Sequence, residues 1–240
     1  MSSPSPHPEK QLNEEDQLEL ANKRARYSLV FPGFFLLLLW MFYIVTYVLQ
    51  IDLTTWGIYP RRLSGLKGIL FSPLIHGSLH HLFSNSVSLF ILMFITLYFY
   101  RDLAYRVFIL IWLMDGIWVW MFARQAYHIG ASGLVYGLAS FLFFSGIIRR
   151  HVPLVAISLL VSFLYGSMVW GLFPIVEDIS WEAHLMGALA GLILALLYRH
   201  EGPQKPPPPW EKEDEEDEDT EDQGAFPSFP GPQPNHKDYQ

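Results

Sequence analysis

Six mostly apolar stretches, separated by short polar segments, dominate the chain between residues 29 and 198. They cover residues 29–49, 79–99, 105–123, 131–148, 153–172 and 183–198. An α-helix needs about twenty apolar residues to cross the roughly 30 Å hydrocarbon core of a bilayer. The pattern therefore predicts an all-α membrane protein with a bundle of six transmembrane helices.

The two ends of the chain differ from this apolar body. Residues 1–26 are predicted to be a polar N-terminal tail, and residues 27–200 to form the six-helix domain. Residues 201–240 form a Pro-rich acidic tail, predicted to be disordered because such a composition cannot bury a core. Without residues 211–222 the formal net charge would change from −7 to +2, so the acidity belongs to this tail.

Basic residues predict the orientation, since Lys and Arg are retained on the cytoplasmic side. With both termini in the cytoplasm, nine Lys and Arg fall in inner segments and four in outer ones. Three of those four lie in one long connection, residues 52–78, which is half apolar. We therefore expect an integral multi-pass protein, of a bacterial cytoplasmic membrane if the host is bacterial, whose long first loop lies at the outer interface.

Polar side chains inside predicted spans are costly, and they mark functional sites more often than chance. Asn85, Ser132 and His184 lie 16, 17 and 15 residues from the basic residue that ends their helix. At about 1.5 Å per residue these separations are about 24, 26 and 23 Å. Three predicted helices therefore carry a polar group to the same depth, just below the outer surface. Each group alone is also compatible with a helix–helix hydrogen bond.

A serine and a histidine at one depth indicate acyl transfer, in which the histidine accepts the proton of the attacking hydroxyl. Ser132 stands at a predicted helix start, where unpaired N–H groups can hold an oxyanion. His81 and Asn85 share a helix face and can add two donors. Gly130 and Gly133 flank Ser132 and allow a tight turn.

Small residues predict a close contact between the fourth and sixth spans. Gly133 and Gly137 form one pair at a spacing of four, and Ala183, Gly187 and Gly191 continue the pattern in the other span. Tyr136 lies one turn after Ser132, so its ring is expected to stack against His184.

Three motifs, HGSLHHLFSN, GASGLVYG and AHLMGALAG, together resemble the rhomboid family of intramembrane serine proteases over about residues 28–200. The resemblance implies that Ser132 is the nucleophile and His184 the base of a two-residue dyad. It further implies that His81 and Asn85 line the oxyanion hole, that Tyr136 supports the histidine ring, and that His76 matches a position near the first loop.

The resemblance also implies how such an enzyme meets its substrate. The partners would be transmembrane proteins, reaching the site laterally from the lipid bilayer beside the fifth span. No metal, cofactor or nucleic acid is expected. One departure concerns the first loop, where Trp56 and Arg61 are separated although many bacterial members carry a Trp-Arg pair.

Three other interpretations compete with this one. The spacing of His76, His80 and His81 fits a histidine box of di-iron membrane enzymes, but no second box follows. A transporter would carry charges along the membrane depth, whereas Asp115 is the one carboxylate near mid-membrane and is expected to be a buried, structural hydrogen-bonding residue. A catalytically inactive rhomboid-like binding or quality-control protein would typically lack the serine or the histidine, and this chain has both.

Overall fold

The computed structural model describes residues 13–174 and 180–204, and these ranges are helical apart from their connections. The α-helices are α1 Glu14–Leu49, α2 Gly68–Phe71, α3 Leu79–Phe99, α4 Arg101–Phe122, α5 Ser132–Arg149, α6 Val152–Tyr165 and α7 Trp181–Leu197. Extended pairing within the described ranges is limited to one antiparallel bridge between Ile58 and His128. The predicted tail from residue 205 onward lies outside the described residues.

The first helix is longer than its apolar stretch. Helix α1 has 36 residues and begins at Glu14, where the Asn13 side chain accepts a hydrogen bond of 2.8 Å from the Asp16 amide. A helix of this length measures about 54 Å, well beyond the 30 Å of a hydrocarbon core. Residues 14–26, predicted to be part of a polar tail, are therefore helical and continuous with the first span.

Among the described residues, four helices are long and apolar enough to cross a membrane: α1, α3, α4 and α5. Helices α6 and α7 are apolar but shorter, with 14 and 17 residues. The predicted fifth span is divided, because α6 ends at Tyr165 and a 3-10 helix, Gly166–Leu172, continues it. The all-α membrane architecture is confirmed, and the count of six spans stays a prediction.

Helix α5 lies at the centre of the helix packing. In the most apolar 18-residue segment of α5, 67% of the residues are buried, whereas in the corresponding segment of α1 only 17% are buried. Its Leu134, Leu138, Phe141 and Leu142 are almost completely inaccessible and belong to the main core cluster. The helix that begins with Ser132 is thus fixed on several sides by its neighbours.

The first loop packs against α4. Trp112 and Trp120 donate indole hydrogen bonds to the carbonyl oxygens of Ile69, at 2.7 Å, and Arg62, at 2.9 Å. Arg61, in the left-handed region at φ 58°, donates to the Ala123 carbonyl oxygen at 2.9 Å. Although Arg61 is separated from Trp56 in sequence, its guanidinium fastens the loop to the end of α4.

Candidate functional site

Ser132 is the first residue of α5 and is half-buried. The backbone turns into the helix at Gly130, whose φ of 103° lies in a region that favours glycine. The Gly130 amide donates to the Ser72 carbonyl oxygen at 2.8 Å. The first loop therefore holds the turn that presents Ser132.

The His184 ring is oriented by two contacts. It stacks on Tyr136, with 4.1 Å between ring centroids and 10° between planes, as the sequence spacing predicted. Its Nδ1 lies 2.9 Å from the Gly171 carbonyl oxygen. A carbonyl oxygen only accepts hydrogen bonds, so Nδ1 carries the proton and the neutral ring has Nε2 available as a base.

Helices α5 and α7 approach each other through the predicted glycines. A methyl group at Gly187 would lie 2.9 Å from the Gly133 carbonyl carbon and would overlap its oxygen. A methyl group at Gly191 would lie 2.8 Å from the Phe141 amide nitrogen. The predicted contact is confirmed, and it brings the first turn of the helix that carries Ser132 against the second turn of the helix that carries His184.

His81 and Asn85 converge on the turn before Ser132. Ser78 caps α3 by accepting from the His81 amide at 3.2 Å, which fixes the helix start. A methyl group at Gly130 would lie 2.8 Å from His81 Nε2 and 3.6 Å from Asn85 Nδ2. Two side chains that can donate hydrogen bonds thus face the same backbone turn.

His76 supports this pair from the first loop. Asn85 Nδ2 can only donate, so at 3.1 Å from His76 Nε2 it donates to an unprotonated nitrogen. The His76 and His81 rings meet edge to face, with 5.0 Å between centroids. Burial, and secondarily the nearby His81, lowers the pKa of His76 to about 4, so the ring is neutral near pH 7.

Asp115 lies beside Gly133, the residue that follows Ser132. A methyl group at Gly133 would lie 2.6 Å from the Asp115 carboxyl carbon. The side chain is buried, and its Oδ1 has no hydrogen-bond partner within the described part of the chain. The expected hydrogen bond is therefore not formed by this oxygen, and the carboxyl group lies beside the Gly133 backbone instead.

Gly171 is a site residue that sequence reasoning missed. Its carbonyl oxygen orients His184, and a methyl group at this position would lie 3.1 Å from His184 Nδ1 and 3.2 Å from Tyr136 Cζ. It acts through its backbone, so no side-chain type in the surrounding sequence marks it. The predicted fifth span contained it, but only folding brings it to the histidine.

The histidines that match a histidine box in sequence, His76, His80 and His81, do not form a metal-binding cluster among the described residues. His80 is exposed at the start of α3, one helix position from the half-buried His81. Over residues 13–174 and 180–204, no group of three His, Asp or Glu side chains is arranged to hold a metal ion. The histidines near α3 instead meet Asn85 and the turn at Gly130.

Comparison with known protein families identifies the region that contains this site. A family model described as Rhomboid domain matches residues 64–201, more than half of the chain. The chain belongs to the rhomboid family. Rhomboid proteins are generally intramembrane serine proteases, and the matched region includes Ser132, His184, His81 and Asn85.

Relatives of this rhomboid occur in mycobacteria. An uncharacterized protein of Mycobacterium tuberculosis, Rv1337, is 34% identical over 150 residues, which cover 59% of this chain and 62% of the relative. An uncharacterized protein of Mycobacterium leprae, ML1171, is 29% identical over 202 residues, covering 79% of each chain. The chain thus spans less than two thirds of the length of the first of these relatives.

Proposed function

We propose that this rhomboid is an intramembrane serine endopeptidase that cleaves transmembrane segments of membrane proteins. Ser132 is the nucleophile and His184 the general base. His81, Asn85 and the Ser132 N–H stabilise the oxyanion. Tyr136 and Gly171 orient the base, while Gly130 and Gly133 shape the turn around the nucleophile.

The reaction needs only these groups. His184 Nε2 accepts the Ser132 hydroxyl proton as Oγ attacks the scissile carbonyl carbon. The protonated histidine then gives this proton to the leaving amine, and an acyl-enzyme forms. Water, deprotonated by His184, attacks the ester and releases the acid product and the free serine. No cofactor or metal takes part in this proposal.

One observation carries the proposal: the His184 ring is held by Tyr136 and the Gly171 carbonyl with Nε2 left as an acceptor. Such an unprotonated nitrogen is what allows His184 to act as a general base. Its helix contacts the start of α5 at Gly133, the residue after Ser132. Nucleophile, base and donors are therefore all supplied by helix starts that meet at one end of α5.

The substrate class follows from the membrane setting. A peptide bond reaching Ser132 must come from a segment near or within the bilayer, by lateral access beside α6. Since an α-helix shields its carbonyl groups, the segment must unwind locally, and small, helix-destabilising residues are expected at the cleavage site. With both termini in the cytoplasm, cleavage would occur near the outer surface of a bacterial cytoplasmic membrane.

A fluorophosphonate probe tests the proposal without knowledge of the substrate. The purified protein in mild detergent should be labelled at Ser132, and both Ser132→Ala and His184→Ala should abolish labelling. Ser140→Ala is the matched control, because Ser140 also lies on α5 but donates to the Ala188 carbonyl oxygen at 2.7 Å. This control should be labelled like the wild type.

Absence of labelling in a folded wild-type protein would contradict the proposal. That result would favour a catalytically inactive rhomboid that binds membrane proteins, or a transporter. Labelling that persists in Ser132→Ala would show that another serine reacts. Unchanged labelling in His184→Ala would remove the histidine from the mechanism.

A further inference from the structure

A buried histidine outside the proposed mechanism lies in the loop that leads to Ser132. His128 is 3% exposed, and its Nε2 lies 3.0 Å from the Arg124 carbonyl oxygen. Because that oxygen only accepts, Nε2 carries the proton and Nδ1 is an acceptor. Ser180 Oγ, at 2.6 Å, therefore donates to His128 Nδ1. Burial lowers the pKa of His128, which favours this neutral form.

A second contact joins the same two segments. The Arg124 amide donates to Glu182 Oε1 at 3.3 Å, and Arg124 Nε lies 3.7 Å from the same oxygen. The Glu182 side chain is buried, and this contact offsets part of the cost of removing its carboxylate from water. The loop after α4 is thus bonded to the start of α7 at two points.

The backbone of His128 adds a third connection. It forms an antiparallel bridge with Ile58 of the first loop. The Ile58 amide donates to the His128 carbonyl oxygen at 3.0 Å, and the His128 amide donates to the Ile58 carbonyl oxygen at 2.9 Å. The first loop, the loop before α5 and the start of α7 therefore meet at one residue. His128 precedes Ser132 by four residues, and Ser180 precedes His184 by four.

We propose that the His128–Ser180 hydrogen bond, supported by the Arg124–Glu182 contact, is a clasp that positions the nucleophile's loop against the base's helix. His128 and Ser180 are positioning residues, since neither touches the reacting atoms. The proposal rests on the Ser132–His184 dyad for its catalytic consequence. Its structural consequence, the joining of two segments, is independent of catalysis.

The size of the effect follows from how sharply reaction rate depends on geometry. A displacement of 1 Å between reacting groups can reduce the rate by about 10²-fold. Without the His128–Ser180 hydrogen bond, the loop before α5 and the start of α7 lose a buried contact that holds them together. We therefore expect Ser180→Ala and His128→Gln to slow fluorophosphonate labelling of Ser132 by about 10²-fold, with Ser180→Thr restoring most of the rate.

Ser140→Ala is again the matched control. It also removes a serine hydrogen bond between α5 and α7, but further down the two helices. If the clasp acts as proposed, this control labels within a few-fold of wild type. Ser180→Ala combined with His128→Gln should be no slower than the slower of the two single variants, because both changes remove the same bond. Equal slowing in Ser140→Ala, or additive slowing in the double variant, would overturn the proposal.

Hydrogen exchange separates the clasp from the dyad. Amides of residues 126–132 and 181–184 should exchange faster in Ser180→Ala than in wild type, and those of Ser140→Ala should not change in these segments. Unchanged exchange in Ser180→Ala would overturn the clasp whatever the labelling shows. Faster exchange in a protein whose wild type is not labelled would support the clasp while the proposed catalytic function fails.

Discussion

Gly187 provides a sharp test of the contact between α5 and α7. It faces the Gly133 backbone, and a methyl group at position 187 would lie 2.9 Å from the Gly133 carbonyl carbon and 3.1 Å from its Cα. Ordinary van der Waals contact begins at about 3.4 Å, and the carbonyl oxygen is closer still. The opposing atoms are backbone, so they cannot rotate away as a side chain would. Gly187→Ala therefore has to push the two helices apart.

The structure gives the expected magnitude of this change. Relief of the overlap requires a separation of about 1 Å, and inserting a methyl group into a well-packed interior typically costs about 1–3 kcal/mol. Alanine is better than glycine in a helix by about 0.5–1 kcal/mol, which offsets part of this cost. Since His184 lies one turn before position 187, the same displacement should slow the reaction at Ser132 by about 10²-fold.

Two measurements in detergent check this prediction. The thermal unfolding midpoint should fall in Gly187→Ala, and the rate of fluorophosphonate labelling should fall much more than the stability loss explains. Gly33→Ala on α1 is the control, because a methyl group there has no atom within 4 Å. This variant should keep its labelling rate and its unfolding midpoint, or gain slightly in stability. A Gly187→Ala protein that labels like wild type would refute the inferred closeness of the two helices.

Three further predictions concern the neighbouring residues. Asn85→Ala should slow turnover by about 10²–10³-fold without abolishing it, because it removes one oxyanion donor worth about 3–4 kcal/mol. A variant of unchanged stability that is labelled as fast as the wild type would contradict this role of Asn85. The pKa of His76 is about 4 in the folded protein and about 6.5 in the unfolded chain. As the pH falls from 6.5 toward 4, the unfolded chain binds a proton that the folded protein does not, so the contribution of His76 to stability is full above pH 6.5 and is lost over this range. The loss amounts to up to about 3 kcal/mol, and unfolding midpoints of His76→Gln should therefore vary less with pH over this range than those of wild type. Gly133→Ala should destabilise the fold by about 1–3 kcal/mol through overlap with the Asp115 carboxyl group, and Asp115→Ala should relieve much of that cost; strictly additive unfolding free energies would contradict the contact.

Several features of the site were predictable because they depend on residue type and spacing. Tyr136 stacks on His184 because a ring one turn after Ser132 faces the helix that carries the histidine. The close approach of Gly133 to Gly187 follows from small residues at a spacing of four. Both features are properties of helix surfaces, which a sequence reports directly.

Other features could not be predicted, because they depend on backbone atoms or on distant segments. Helix α1 begins at Glu14, well before its apolar stretch. The polar composition of residues 14–26 predicted a tail there and not the start of a helix. Asp115 was expected to find a hydrogen-bond partner, but its neighbour is the Gly133 backbone. The proton on His184 Nδ1 depends on a carbonyl oxygen of Gly171, which carries no side chain to signal it.

The sequence by itself determined the all-α membrane class, the family and the candidate residues, since apolar runs and motif spacing are local properties of the chain. Only the tertiary structure decided which nitrogen of His184 is free, what supports Asn85, and how His128 reaches Ser180. These arrangements join residues from 9 to 52 positions apart through single hydrogen bonds. Such bonds form only when packed helices bring their ends together, and no one-dimensional pattern records that proximity.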